Sequence, residues 1–139
     1  MHAHLHISHA SILAILVCAV FQWFLGAAWY SPALFAKSWM AALGIRPDGE
    51  KKSFVFAMVC SLIASLILSF VLWHMVSWAG ATTWCAGAFI GFLCWLGFIA
   101  APLFPQGLYE RRPTRLFFIN TGYWLVGMLV TGAILAIWR

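Results

Sequence analysis

Long apolar runs, interrupted by charge at only two places, set the pattern of this chain. No Asp, Glu, Lys or Arg occurs from Met1 to Ala36, from Ser53 to Tyr109 or from Leu116 to Trp138. A helix needs about 20 mostly apolar residues to cross a bilayer, so these runs have room for four crossings. Residues 12–30 form the first, with Gln22 as its polar interruption, and residues 54–76 form the second. Gly80 and the Thr82-Thr83 pair make a short connection, and residues 83–101 form the third. The segment Pro102-Leu-Phe104-Pro105-Gln-Gly107 is expected to end that helix, since proline has no amide N–H to give to the ladder. Residues 116–138 form the fourth.

Between the first two crossings lies a different pattern. Ser31-Pro32 stops one helix and offers the start of another: the residue before proline is pushed out of helical space, and serine before proline suits an N-cap and first helical position. Over residues 32–43, Phe35, Trp39, Met40 and Leu43 recur at three- and four-residue steps, while Lys37 and Ser38 lie off that stripe. Gly44 is placed to cap it. This predicts a short amphipathic helix in the membrane interface. Pro47-Asp48-Gly49 then makes a turn.

Composition turns these crossings into a class. The 139 residues are 65% hydrophobic and 8% charged, with a mean hydropathy of +0.97. A soluble domain is about 25% charged, so a water-soluble enzyme or binding domain is excluded. The net charge of +5 is not a nucleic-acid signal, because the charges sit in connections. Lys37, Arg46, Lys51 and Lys52 follow the first crossing, and Arg111, Arg112 and Arg115 follow the third, which puts seven of eight Lys/Arg on one side. The positive-inside rule places loops 31–53 and 105–115 in the cytoplasm and both termini outside. No Lys or Arg precedes the first crossing, and its apolar run passes the would-be cleavage site at Gly26-Ala27-Ala28, so it reads as a retained helix. Cys18, Cys60, Cys85 and Cys94 all fall within crossings and read as small apolar residues.

Rows of small residues supply packing faces, which helices in lipid need for association. The first crossing offers Ala10, Ala14, Cys18, Gln22 and Gly26, and the second offers Ala57, Ser61, Ser65 and Ser69. The third offers Gly87 and Gly91, and the fourth Gly127 with Thr131 and Gly132 with Ala136. Gln22 lies on its row and Asn120 shares a face with Tyr123, so Gln22, Tyr30, Asn120 and Tyr123 are the polar intramembrane candidates. They serve either as interhelical hydrogen-bonding glue or as a polar ligand site.

No Asp, Glu, Lys or Arg falls inside a crossing, which weakens a proton- or ion-coupled pump. No HExxH, P-loop or glycine-rich nucleotide fingerprint occurs. No cofactor is implied, with one opening: His2, His4, His6 and His9, together with His74, carry imidazoles of the kind that ligate copper, zinc or nickel. An echo links Gly26…Ser31-Pro32-Ala-Leu-Phe35 to Gly97…Ala101-Pro102-Leu-Phe104. It would fit two hairpins related by an axis along the membrane normal.

The motif Trp29-Tyr30-Ser31-Pro32-x-Leu34-Phe35-x-Lys37-x-Trp39-Met40, with Leu43-Gly44, resembles the bacterial integral membrane family DUF1761, a domain of unknown function. Gly91-Phe-Leu-Cys-Trp95-Leu-Gly97-Phe98 with Pro102 is similar to its third span. Arg115-Leu-Phe-Phe-Ile-Asn120-x-Gly122-Tyr123, closing on Gly132-Ala-Ile-Leu-Ala-Ile-Trp138, is similar to its fourth. The resemblance implies four spans in a bacterial inner membrane and no known activity. The expected fold is therefore an all-α membrane protein, residues 1–139 forming one domain of four transmembrane helices plus the interfacial helix. The expected partners are the lipid bilayer and a second copy in a homo-oligomer, with no nucleic acid. The expected role is a non-catalytic binding or accessory module. The alternatives are a small transporter or channel subunit with a path near Gln22 and Asn120, and an outward-facing metal-binding protein using the N-terminal histidines.

Overall fold

The computed structural model describes residues 7–44 and 51–138, with side chains from residue 54 onward in the second stretch. Helix α1 (His9–Trp29) opens on Ser8, whose hydroxyl accepts the Ser11 N–H at 3.1 Å. Helix α2 (Ala36–Leu43) follows a tight turn, and α3 (Lys51–Trp78) is the longest element. Helix α4 (Trp84–Trp95) passes through a π-helical turn (Leu96–Ala100) into α5 (Ala101–Tyr109). Helix α6 (Thr114–Ile137) completes the chain. Four helical stretches are long and apolar enough to cross a membrane: His9–Trp29, Phe54–Trp78, Trp84–Tyr109 and Thr114–Ile137. The protein is an all-α, multi-pass membrane protein, with no strand among its described residues.

Two boundaries depart from the sequence pattern. The third crossing does not stop at residue 101: it runs on to Tyr109, through both Pro102 and Pro105. The π-turn supplies the means at Pro102, while Pro105 stands inside α5 and forgoes its ladder bond. Ala101 N–H reaches back to the Leu96 carbonyl, a five-residue step, so the ladder is already reset when Pro102 arrives at the first turn of α5. Proline at that position removes a hydrogen bond that a helix start lacks anyway. The second departure is α2, which begins at Ala36 and not at Pro32. Ser31 turns its hydroxyl backwards, donating to the Ala28 carbonyl at 2.7 Å, so it finishes α1 and does not cap α2. Phe35 N–H then donates to the Trp29 carbonyl at 3.1 Å, and the two rings lie 4.8 Å apart between centroids. These bonds fold residues 31–35 against the end of α1. The echo between the Pro32 and Pro102 segments accordingly has no structural counterpart: one proline lies in a turn, the other in a continuing helix. Gly44 does cap α2, in left-handed geometry at φ 68°.

The connection before α4 follows its residues. Gly80 takes φ 67°, a conformation open to glycine at little cost. Thr83 caps α4 by accepting the Ala86 N–H at 3.2 Å. Loss of such a cap costs about 1 kcal/mol; Thr83→Ala should lower stability by that amount in thermal unfolding, and Thr83→Ser should not.

Helix α6 is the hub, touching α1, α3 and α4, and its pairing with α4 is the most extensive contact in the molecule. The reason is backbone proximity. A Cβ added at Gly87 would overlap the Gly132 carbonyl oxygen, and one added at Gly91 would overlap the Met128 carbonyl oxygen. Ala14, Ile15, Cys18, Leu72, Trp73, Val76, Ala81, Leu135 and Ala136 form an apolar core where α1 begins and α3 and α6 finish. The small row of α3 is packed only in its second half: Ser65 and Ser69 are buried, but Ala57 and Ser61 are not. Large apolar side chains such as Phe56, Val59, Ile63 and Phe98 face outward, as lipid-facing residues do.

Candidate functional site: a polar seam and an interfacial cleft

Helices α1 and α6 run antiparallel, and residues at three- and four-residue steps meet in register along their seam. At the loop end, the Tyr30 hydroxyl donates to Asn120 Oδ1 at 2.8 Å. One turn inward, Tyr123 lies over Gly26, where an added Cβ would come within 3.1 Å of its hydroxyl oxygen. That hydroxyl donates to the Gln22 backbone carbonyl at 3.1 Å. A further turn inward, the Gln22 side chain occupies the space that Gly127 leaves, and a Cβ at residue 127 would overlap it. Large residues on one helix thus face small or short ones on the other, the arrangement that lets helices approach in lipid. The four polar candidates do converge, with the Tyr30 and Tyr123 rings 5.7 Å apart, edge to face.

Tyr30, Asn120 and Tyr123 bond across helices as glue would, and the Gln22 side chain departs from that expectation. Gln22 is fully buried, yet neither atom of its carboxamide has a partner among the described residues. Thr131, one turn beyond Gly127, and Ser69 on α3 are likewise buried, with hydroxyls unpartnered among the described residues. The hydrogen bonds between helices come instead from tyrosines and tryptophans. Tyr123 stands between Gln22 and Asn120, so the two amides do not meet. Beyond Gln22 the seam ends in the apolar core that includes Ala14, Cys18 and Leu135.

Three tryptophans are legible in the sequence only as apolar or interfacial residues, and the structure gives them polar work. Trp29 Nε1 donates to the Ile119 carbonyl at 2.9 Å, its ring over Gly122. Trp95 Nε1 donates to the Thr121 carbonyl at 2.8 Å, and Trp23 Nε1 to the Met58 carbonyl at 3.1 Å. A helical carbonyl has a second lone pair for such a donor. The usable signal was the need of a buried indole N–H for an acceptor. Trp39 of α2 packs edge-on against Tyr30 at 5.4 Å, which fastens the short helix to the seam.

Near Asn120 the surface opens into a cleft of about 100 Å³ between α5 and the start of α6. Leu103, Phe104, Leu108 and Phe117 form its apolar walls. Its polar lining comes from Asn120, Thr114, Arg112, Glu110 and Gln106. The Glu110 carboxylate is held by Arg112 Nε and by Gln106 Nε2, the latter at 2.9 Å. Asn120 lines the cleft and accepts the Tyr30 hydroxyl at Oδ1. Sequence reasoning missed this cleft because it expected the helix to break at Pro102-Leu-Phe104-Pro105-Gln-Gly107.

The histidine candidates are scattered. His2, His4 and His6 lie outside the described residues, and His9 is the first residue of α1. His74 lies in the last two turns of α3, with Nδ1 3.0 Å from the Phe70 carbonyl and the rings of Phe70, Trp73 and Trp78 around it. Among the described residues no three His, Cys, Asp or Glu side chains stand together. All four cysteines are free thiols.

No curated protein and no solved structure matches the chain. A family model does, described as "Protein of unknown function (DUF1761)", over residues 13–136. That match runs from the second turn of α1 to the last turn of α6 and takes in the seam and the cleft, and the chain belongs to this family.

Proposed function

We propose that this protein is a non-catalytic binding module of the bacterial inner membrane, and that an amphiphile occupies the cleft between α5 and α6. The observation that carries this is the lining of the cleft: four large apolar walls beside a polar and charged rim, at the end of membrane-spanning helices. Ligand sites are commonly apolar concavities with a few convergent polar groups. The seam supports the same reading, because Tyr30 and Tyr123 spend their hydroxyls joining helices. Lys37, Arg111, Arg112 and Arg115 favour a cytoplasmic position for loops 31–53 and 105–115, with both termini outside. A homo-oligomer is part of the proposal, since a chain of 139 residues has little interior of its own.

Photolabelling tests the cleft. A single-chain amphiphile with a diazirine near its tail, added to protein in lipid nanodiscs, is expected to label Leu103–Phe117 saturably and to be displaced by its unlabelled parent. Labelling that rises linearly with probe and spreads evenly onto the outward face of α3, at Phe56, Val59 and Ile63, would reject the site.

A further inference from the structure

We propose, resting on the reading of the cleft as an amphiphile site, that its occupant is an anionic phospholipid whose phosphate is held by Arg112, Asn120 and Thr114. The argument is one of donors and acceptors. Arg112 meets Glu110 at Nε, and its guanidinium carries two further nitrogens, donors of the kind that match a phosphate. Asn120 has given its carbonyl oxygen to Tyr30 and keeps the amide nitrogen, a donor. Thr114 adds a hydroxyl at the rim. The acceptor in the lining with a full charge, Glu110, is already engaged by Arg112 and Gln106. The donors of Arg112, Asn120 and Thr114 remain for a ligand, beside acceptors at the Gln106 carbonyl oxygen and the threonine hydroxyls, and an oxyanion is the group that satisfies the donors.

Charge adds only a weaker pull: within the lining Arg112 and Glu110 cancel, and the excess positive charge of the stretch, from Arg111 and Arg115, lies outside it and attracts an anion at longer, screened range. The apolar walls select against a free ion. Leu103, Phe104, Leu108 and Phe117 extend the cleft in hydrocarbon, and free phosphate has nothing to match those walls. Phe104 and Phe117 meet edge to face at 5.3 Å between centroids, a wall that an acyl chain can lie against.

Two tail-diazirine probes with the same chains test this in phosphatidylcholine nanodiscs: phosphatidylglycerol and diacylglycerol, which lacks the phosphate. Phosphatidylglycerol is expected to label the α5–α6 peptide about tenfold more than diacylglycerol, and Arg112→Gln to remove that preference, as loss of a charge-assisted pair implies. Arg111→Gln, on an exposed side chain outside the lining, should keep it. Equal labelling of the cleft by both probes, unchanged in Arg112→Gln, would overturn the phosphate while leaving the amphiphile site standing. Failure of both probes to label the cleft above α3 would remove both. Displacement of the lipid probe by excess inorganic phosphate as readily as by unlabelled phosphatidylglycerol would assign the site to free phosphate and overturn the lipid.

Discussion

Gly132→Val is expected to unfold the pairing of α4 with α6. The β-carbon alone would overlap the Gly87 carbonyl oxygen, and valine adds two methyl groups to that overlap. The neighbour is backbone, so no side chain can swing aside, and the helices must separate. Overpacking of a well-packed site costs about 1–3 kcal/mol when side chains can shift; here the loss should be at or above that upper figure. The same interdigitation repeats one turn away, where Gly91 abuts the Met128 carbonyl, so separation at one level opens the other. The measurement is thermal unfolding of detergent-purified protein by tryptophan fluorescence, with size-exclusion chromatography for folded yield. Gly97→Ala is the control. A β-carbon at residue 97 would meet nothing within 4 Å, and alanine in place of helical glycine should gain about 0.5–1 kcal/mol. Equal melting of Gly132→Val and Gly97→Ala would refute the close backbone contact.

The second large effect is expected at Tyr123. This side chain is nearly buried, at 7% exposure, and it both fills the space over Gly26 and bonds to the Gln22 carbonyl. Tyr123→Phe removes only the hydroxyl. Interhelical hydrogen bonds in membranes are worth about 0.6 kcal/mol on average and up to about 1.7 kcal/mol, and the loss should fall in that range. Tyr123→Ala also empties the ring site, and removal of a buried aromatic costs about 3–5 kcal/mol in soluble proteins. Part of that figure is transfer from water, which lipid does not supply, so the lower end applies. A double-mutant cycle of Tyr30→Phe with Asn120→Ala isolates the other bond of the seam, with a coupling of about 0.6 kcal/mol expected. Additive losses in that cycle would mean that Tyr30 and Asn120 do not interact.

Much of the fold is legible because lipid simplifies the code. Backbone groups in a bilayer must be satisfied within the helix, so apolar length alone converts to crossings, and hydropathy locates all four to within a few residues at most ends. The exceptions fall where a backbone hydrogen bond is optional. Pro102 has the look of a terminator, and its missing N–H is absorbed by a π-turn one residue earlier. Ser31 has the look of a cap, and its hydroxyl turns the other way, onto the Ala28 carbonyl at the end of α1, which also accepts the Ser31 N–H. Both residues have two local solutions of similar cost, and the choice between them comes from neighbours: Trp29 and Phe35 in one case, the packing of α4 along α6 in the other.

The candidate site is half legible. Periodicity puts Gln22 on a packing face and Asn120 on one face with Tyr123, and all four polar residues do gather at the α1–α6 seam. Which atoms bond is not in the pattern. Gln22 is the natural candidate for an interhelical bond, yet its amide packs against Gly127 and its backbone carbonyl does the bonding. Trp29 and Trp95 look interfacial or apolar, yet each donates across helices. The cleft is invisible in the pattern because it depends on α5 continuing as a helix beside α6.

By itself the sequence determined the class of the protein: an all-α chain crossing a membrane four times, with positive charge concentrated at one end, a short helix beside the first crossing, and thin faces at Gly87, Gly91, Gly127 and Gly132. These follow from local quantities, namely hydropathy, helical period and side-chain size, each summed over a few turns. Tertiary structure decided which thin faces meet, that Tyr123 bonds to the backbone of Gln22 and not its amide, and that a polar-rimmed cleft forms beside Asn120. Those outcomes depend on relative rotation and height of separate helices. A turn of helix is only about 5.4 Å, so a shift of a few ångströms exchanges one set of partners for another without altering any local pattern.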